Sequence, residues 1–238
     1  MGCGSSRASD IELLDVAPRP NRPGQATADV ALSRTDLNRA LQYTAQFIAG
    51  QRQQIDLIVV GGAVNTMLLG TRSATQDVDF FNSNLSKNEG RLLAEASAYA
   101  RKSVLRECQT ELPKDWLNNR TFHFIPPDQR RALTREAFDQ HERVFDRAGL
   151  KLLAAPWPYA IVAKLDRIAG GNPHPYDISD ASGYLYRYLG NRRLSAIPAS
   201  TIRQWVRIYH LKVRDTEIRL LARDYEQRYR RRVVDFRR

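Results

Sequence analysis

The stretch "IVVGGAVNTMLLGTRSATQDVDFF", residues 58–81, passes from a β-branched apolar run through two glycines to two aspartates one residue apart. Residues 55–60 ("IDLIVV") read as a buried strand, which Gly61 and Gly62 end. Residues 63–69 suit a short helix before Gly70, and "DVDFF" (77–81) reads as a second strand. Side chains alternate along an extended chain, so Asp77 and Asp79 share one face, roughly 7 Å apart, while Val78 and Phe80 turn to the core. Two carboxylates in so apolar a run need compensation: water, a basic partner such as Arg72 or Arg91, or a bound cation. A hard divalent ion such as Mg²⁺ takes a few carboxylates and completes its shell with substrate phosphates. The Gly61-Gly62 turn permits close backbone approach and offers N–H groups at a helix start, a seat for phosphate oxygens. In this order, the elements supply both halves of a metal–triphosphate site.

Outward from this segment the chain alternates helices and strands. Ser33 to about Gln51 reads as an N-capped helix with Leu37, Leu41, Ala45 and Ile48 in an apolar stripe. Ser86 and Glu89 form a capping box opening a helix through Leu92, Leu93, Ala96, Tyr99 and Ala100. A loop holding "LPKDWLNN" follows, then a strand is expected near "RTFHFIP" (120–126), with Pro126 and Pro127 starting a helix. "RVFDRAGLKLLAA" (143–155) suggests a hairpin around Gly149, and "PWPYAIVAKLDRIAGG" (156–171) a helix entered by prolines and closed by glycines. From Tyr176 the pattern is helical almost to the end, with Pro198 starting one helix. The expected fold is α+β: a mixed sheet flanked by helices over residues 33–155, then a helical region, 156–238.

The 238 residues carry a net charge of +11, and residues 187–238 hold 15 Lys/Arg against 5 Asp/Glu. Such a surface attracts the phosphates of RNA or of an anionic membrane, or is simply a set of solvated helix faces. No apolar run approaches a bilayer span, and the first 30 residues hold no signal-peptide core. Two cysteines, Cys3 and Cys108, make no disulfide framework, which suits a reducing compartment. The opening "MGCGSS" fits an N-myristoylation signal on Gly2, with Cys3 placed for palmitoylation. On that reading residues 1–32, rich in Pro and small polar residues, tether a eukaryotic protein to the cytoplasmic face of a membrane. The four histidines have no ligand spacing, and Trp116 reads as packing.

Taken together, "VVGGAVNTMLLGTRSATQDVDFF" resembles the signature of the DNA polymerase β-like nucleotidyltransferase superfamily, in which a glycine turn precedes an Asp-x-Asp strand. Here Gly62 precedes Asp77 by 15 residues. With Arg72 and Thr75 the stretch is most similar to the branch of the type IV abortive-infection toxins and related domains. A second block, "AKLDRIAGGNPHPYDISDASGYL" (163–185), is similar to that branch's later motif. The resemblance covers about residues 36–189 and implies a nucleotidyltransferase-like fold with Mg²⁺, one ion or two, and a nucleoside triphosphate as substrate. It implies metal-binding and catalytic roles for Asp77 and Asp79, phosphate or nucleotide contacts for Gly61, Gly62, Arg72 and Lys164, and a catalytic or polar role for Asp177 beside Asp180. The superfamily's usual third strand carboxylate has no counterpart in "TFHFI" or "LKLLAA", so that role falls to Asp177 or to no residue. The expected activity is transfer of a nucleoside monophosphate to an RNA or protein hydroxyl. The alternative is a catalytically decayed nucleotidyltransferase fold serving as a membrane-attached binding or scaffold protein.

Overall fold

The computed structural model describes residues 30–237, so the lipidation reading at Gly2 and Cys3 lies outside the described residues. The structure is α+β, built around a mixed five-stranded sheet. Strand β1 (Leu32–Ser33) leads into α1 (Arg34–Gly50), where Ser33 and Asp36 satisfy each other's exposed N–H groups in a capping box. Strand β2 (Ile55–Val60) is followed by α2 (Gly62–Val64), a π-helical stretch (Asn65–Leu69) and β3 (Ala74–Thr75), which pairs with β1. Strand β4 (Val78–Phe81) leads to α3 (Lys87–Cys108), opened by the Ser86–Glu89 capping box. Then come β5 (Leu117–Asn118), α4 (Thr121–Phe124), α5 (Pro127–Gln140) and the antiparallel hairpin β6 (Arg143–Arg147) and β7 (Leu150–Ala154).

The sheet order is β5-β4-β2-β7-β6, with β4 antiparallel to β2 and β7 parallel to it. The β2–β4 register sets Val60 opposite Asp79 and Ile58 opposite Phe81, so the glycine turn and the aspartates emerge at one end of the sheet. The expected stripe Leu37, Leu41, Ala45 and Ile48 is buried, and α1 packs against α3 and the β7 strand. These apolar faces supply most of the folding free energy, at roughly 25 cal/mol per Å² removed from water.

The helical part comprises α6 (Trp157–Ala169), α7 (Asp177–Asn191), α8 (Ala199–Ile208) and α9 (Asp215–Tyr229), with a short parallel pair β8 (Ile197–Pro198) and β9 (Val234–Asp235). Helix α6 packs along α7, and α7 also touches the π-helical stretch, joining this part to the glycine turn. Among the described residues no helix is long and apolar enough to cross a membrane.

One expected element is corrected. The strand placed near "RTFHFIP" is a helical turn, and the strand lies earlier, at Leu117–Asn118. The N–H groups of Phe122 and His123 bond back to the carbonyls of Asn119 and Arg120 (2.9 and 3.1 Å). The alternation of Phe122 and Phe124 mimics a half-buried strand, yet Phe124 is 84% exposed and Phe122 lies under the Arg130 guanidinium. The residue that seats the turn is Ile125, which is buried.

Candidate functional site

The site begins at the end of β4. Phe81 shares the face of Asp77 and Asp79 and is fully buried, as are Val78 and Phe80 on the other face. The aspartate face is therefore not a fully solvated side of the sheet, and both aspartates are half-buried. Burial pushes the Asp77 carboxyl up to about 7, reinforced by the neighbouring Asp79 charge and opposed by a hydrogen bond from Asn118. Burial likewise raises Asp79, against the Asn118 hydrogen bond and the positive charges of Arg120, Arg167 and Lys164. Neither carboxylate has a Lys or Arg within ion-pairing distance among the described residues. Asn118, next to Asp79 in the parallel β4–β5 register, donates its amide to Asp77 Oδ2 at 3.1 Å.

The glycine turn sits beside this pair. Gly61 has φ +68° and ψ −138°, a conformation that L side chains strongly disfavour. Gly62 is required for a different reason: a Cβ there would collide with the Thr75 side chain and press on Arg72. Asn65 Nδ2 donates to the Gly61 carbonyl (3.0 Å) and to the Tyr184 hydroxyl (2.6 Å). Tyr184, from α7 and itself stacked on Trp157, donates to the same carbonyl at 3.1 Å. Asn65 Oδ1 accepts from the Thr71 hydroxyl (2.8 Å), so one buried amide ties the turn to both flanking segments.

The second sequence block arrives on α6 and α7. Lys164 is 5% exposed, and its ammonium reaches Asp177 Oδ1 at 2.9 Å and Asp180 Oδ2 at 2.7 Å. Asp177 is fully buried; it also meets Arg167 (3.1 Å) and accepts the His174 backbone N–H (2.8 Å). Burial pushes its carboxyl up, but the Lys164 hydrogen bond and charge, the His174 N–H and Arg167 together outweigh that, leaving it below the usual carboxylate range. Arg72 crosses from the β3 side to pair with Asp180, its Nε 2.9 Å from Oδ1, under the ring of Tyr176 at 3.4 Å.

Every residue expected at the site therefore lies in this region, but the pairings differ from those the sequence offered. Arg72 serves Asp180 and not Asp77 or Asp79; Lys164 holds Asp177 and Asp180 while its charge still acts on Asp79. Asn118 and Tyr184 were invisible beforehand, since their partners lie 41 residues or more away, and Asn65, whose bonds to Gly61 and Thr71 are local, carries no pattern that marks it as a tie for the turn. Among the described residues no group of three or more His, Cys, Asp or Glu converges in a way that could hold a metal. The donor set on offer is the Asp77–Asp79 pair, whose shared desolvation without a cationic partner fits one hard divalent cation that keeps several water or phosphate ligands. A separate groove of about 430 Å³, lined by Glu136, Gln140, Trp157, Tyr188 and Arg192 among others, includes none of the residues expected at the site.

No protein-family model, curated protein or solved structure matches the chain.

Proposed function

We propose that the chain is a nucleotidyltransferase-like protein that binds Mg²⁺ and a nucleoside triphosphate at the Asp77–Asp79 end of the sheet. It transfers a nucleoside monophosphate to an RNA or protein hydroxyl and releases pyrophosphate. The observation that carries this reading is the pair of desolvated carboxylates, raised together and lacking a basic partner among the described residues, next to the Gly61-Gly62 turn. Asp77 and Asp79 would hold the ion, which when bound neutralises phosphate charge and activates the attacking hydroxyl. Gly61 and Gly62 present backbone to the phosphates, with the Gly61 carbonyl turned away into its bonds from Asn65 and Tyr184. Lys164 and Arg167 add positive potential at Asp79.

One observation favours the second reading, a fold that binds nucleotide without transferring it. Asp177, the candidate third carboxylate, is enclosed by Lys164, Arg167 and the His174 N–H. Titration with each nucleoside triphosphate, with and without Mg²⁺, beside Asp77→Asn/Asp79→Asn tests both. Mg²⁺-dependent binding abolished in the variant supports the site; no binding by the intact chain overturns it. Where binding holds, label transfer to RNA or protein separates the readings, and Asp77→Ala should then lower the rate by about 10³-fold or more.

A further inference from the structure

Helix α7 carries a second tyrosine with a different outlook. Tyr184 points inward to Gly61, and Tyr186, two residues on and so about 200° around the helix, points out. Its ring stacks on Tyr229 of α9 with centroids 4.5 Å apart and planes within 17° of parallel. Tyr229 in turn meets Tyr225 at 4.6 Å with the planes tilted by 48°, and Tyr225 is buried. The three rings form a ladder rooted in the core that ends at the surface on Tyr186, which is 55% exposed although one of its faces is covered by Tyr229. The uncovered face is open to solvent.

The charge around the ladder is positive and partly free. Arg228 and Arg232 are neutralised by Asp224 and Glu226. Arg230 and Arg231, which follow Tyr229 directly, are exposed and have no acidic partner among the described residues. The Arg231 charge reaches Tyr225, and Arg230 and Arg231 follow Tyr229 directly in the chain, so both cations start from the ladder's α9 side. A pre-stacked aromatic face beside unpaired guanidinium groups is the combination that takes an unpaired base on the ring and backbone phosphates on the arginines. An anionic bilayer would use the cations but has no need of an exposed flat ring held parallel to a second, Tyr229, which a third, Tyr225, meets at a 48° tilt.

We propose that the Tyr186–Tyr229–Tyr225 ladder, with Arg230 and Arg231, is a docking surface for single-stranded nucleic acid. It stands apart from the Asp77–Asp79 site and does not depend on the reading of that site.

Fluorescence anisotropy with a labelled single-stranded 12-mer, titrated into the intact chain over a range of salt, tests it. Tyr186→Ala should weaken binding by about 5- to 150-fold at fixed salt with the salt slope unchanged, and Tyr186→Phe should bind as the unaltered chain does. Arg230→Gln/Arg231→Gln should make the slope of log K against log salt shallower by about 1.4. Absence of oligonucleotide binding, equal binding by Tyr186→Ala, or loss on Tyr186→Phe as large as on Tyr186→Ala overturns the proposal. So does binding to phosphatidylserine vesicles that outcompetes the oligonucleotide and depends on the arginines alone.

Discussion

Two pairs of aspartates lie in this molecule, and they solve burial in opposite ways. Asp177 and Asp180 are the more deeply enclosed, yet Lys164 bridges them, Arg167 and Arg72 flank them, and the Asp177 carboxyl sits below its usual range. Asp77 and Asp79 are less enclosed but have one amide and no ion-paired cation, and both are raised. Depth of burial thus does not decide the state of a carboxylate; the partners do. The first pair is a structural clamp between α6, α7 and the segment after the glycine turn. The second has no ion-paired cation among the described residues, and that difference is what the proposed Mg²⁺ site rests on.

The comparison breaks most directly at Lys164. Lys164→Met leaves two buried aspartates short of their shared cation and should cost about 3–5 kcal/mol in urea unfolding. Adding Asp177→Asn and Asp180→Asn to it should recover much of that loss. A cost below about 1 kcal/mol would mean that the clamp is no clamp.

The opposite sign is expected at the other pair. Asp77→Asn should stabilise the metal-free protein by about 2 kcal/mol at pH 8, because it removes a charge that burial and Asp79 both disfavour. Destabilisation there would show that Asp77 is structurally paired after all.

The pH dependence sharpens the contrast. The folded Asp77 carboxyl, near 7 against an ordinary 3.8, binds its proton more tightly than the unfolded chain does. Its contribution is present in full below about 3.8 and is lost as pH rises to about 7, so thermal unfolding in EDTA should fall across that window and flatten in Asp77→Asn. Asp177, with a lowered pKa, works in reverse: its contribution is held above 3.8 and lost as acid is added below it. The smallest effect belongs to the lid of the clamp. Tyr176→Ala removes the ring over Arg72 and should cost about 0.5–1 kcal/mol by the same unfolding measurement.

Much of this was legible before any fold was known. The N-cap at Ser33, the capping box at Ser86–Glu89, the proline entries at Pro126 and Pro156 and the glycines after Val60 mark element ends by local backbone chemistry, and the structure places those ends where they were expected. The segment around Phe122 misled because a two-residue alternation over so short a run suits a strand and a helical turn equally, and contacts with Arg130 and the buried Ile125 arbitrate. Arg72 illustrates the same limit for charge: its proximity in sequence to Asp77 suggested one partner, and α7 delivered another 108 residues away.

By itself, the sequence determined the α+β order of elements, the alternation that gives Asp77 and Asp79 a common face, the glycines that precede them and the basic surplus of the last quarter. These follow from chain stereochemistry and composition, which act over a few residues. The tertiary structure alone decided that Phe81 closes the aspartate face, that Lys164 spends its charge on Asp177 and Asp180, and that the Gly61 carbonyl meets Tyr184 while Tyr229 covers one face of Tyr186. Desolvation and ion pairing depend on which distant segments come within a few ångströms, and that is settled when the core packs, not along the chain.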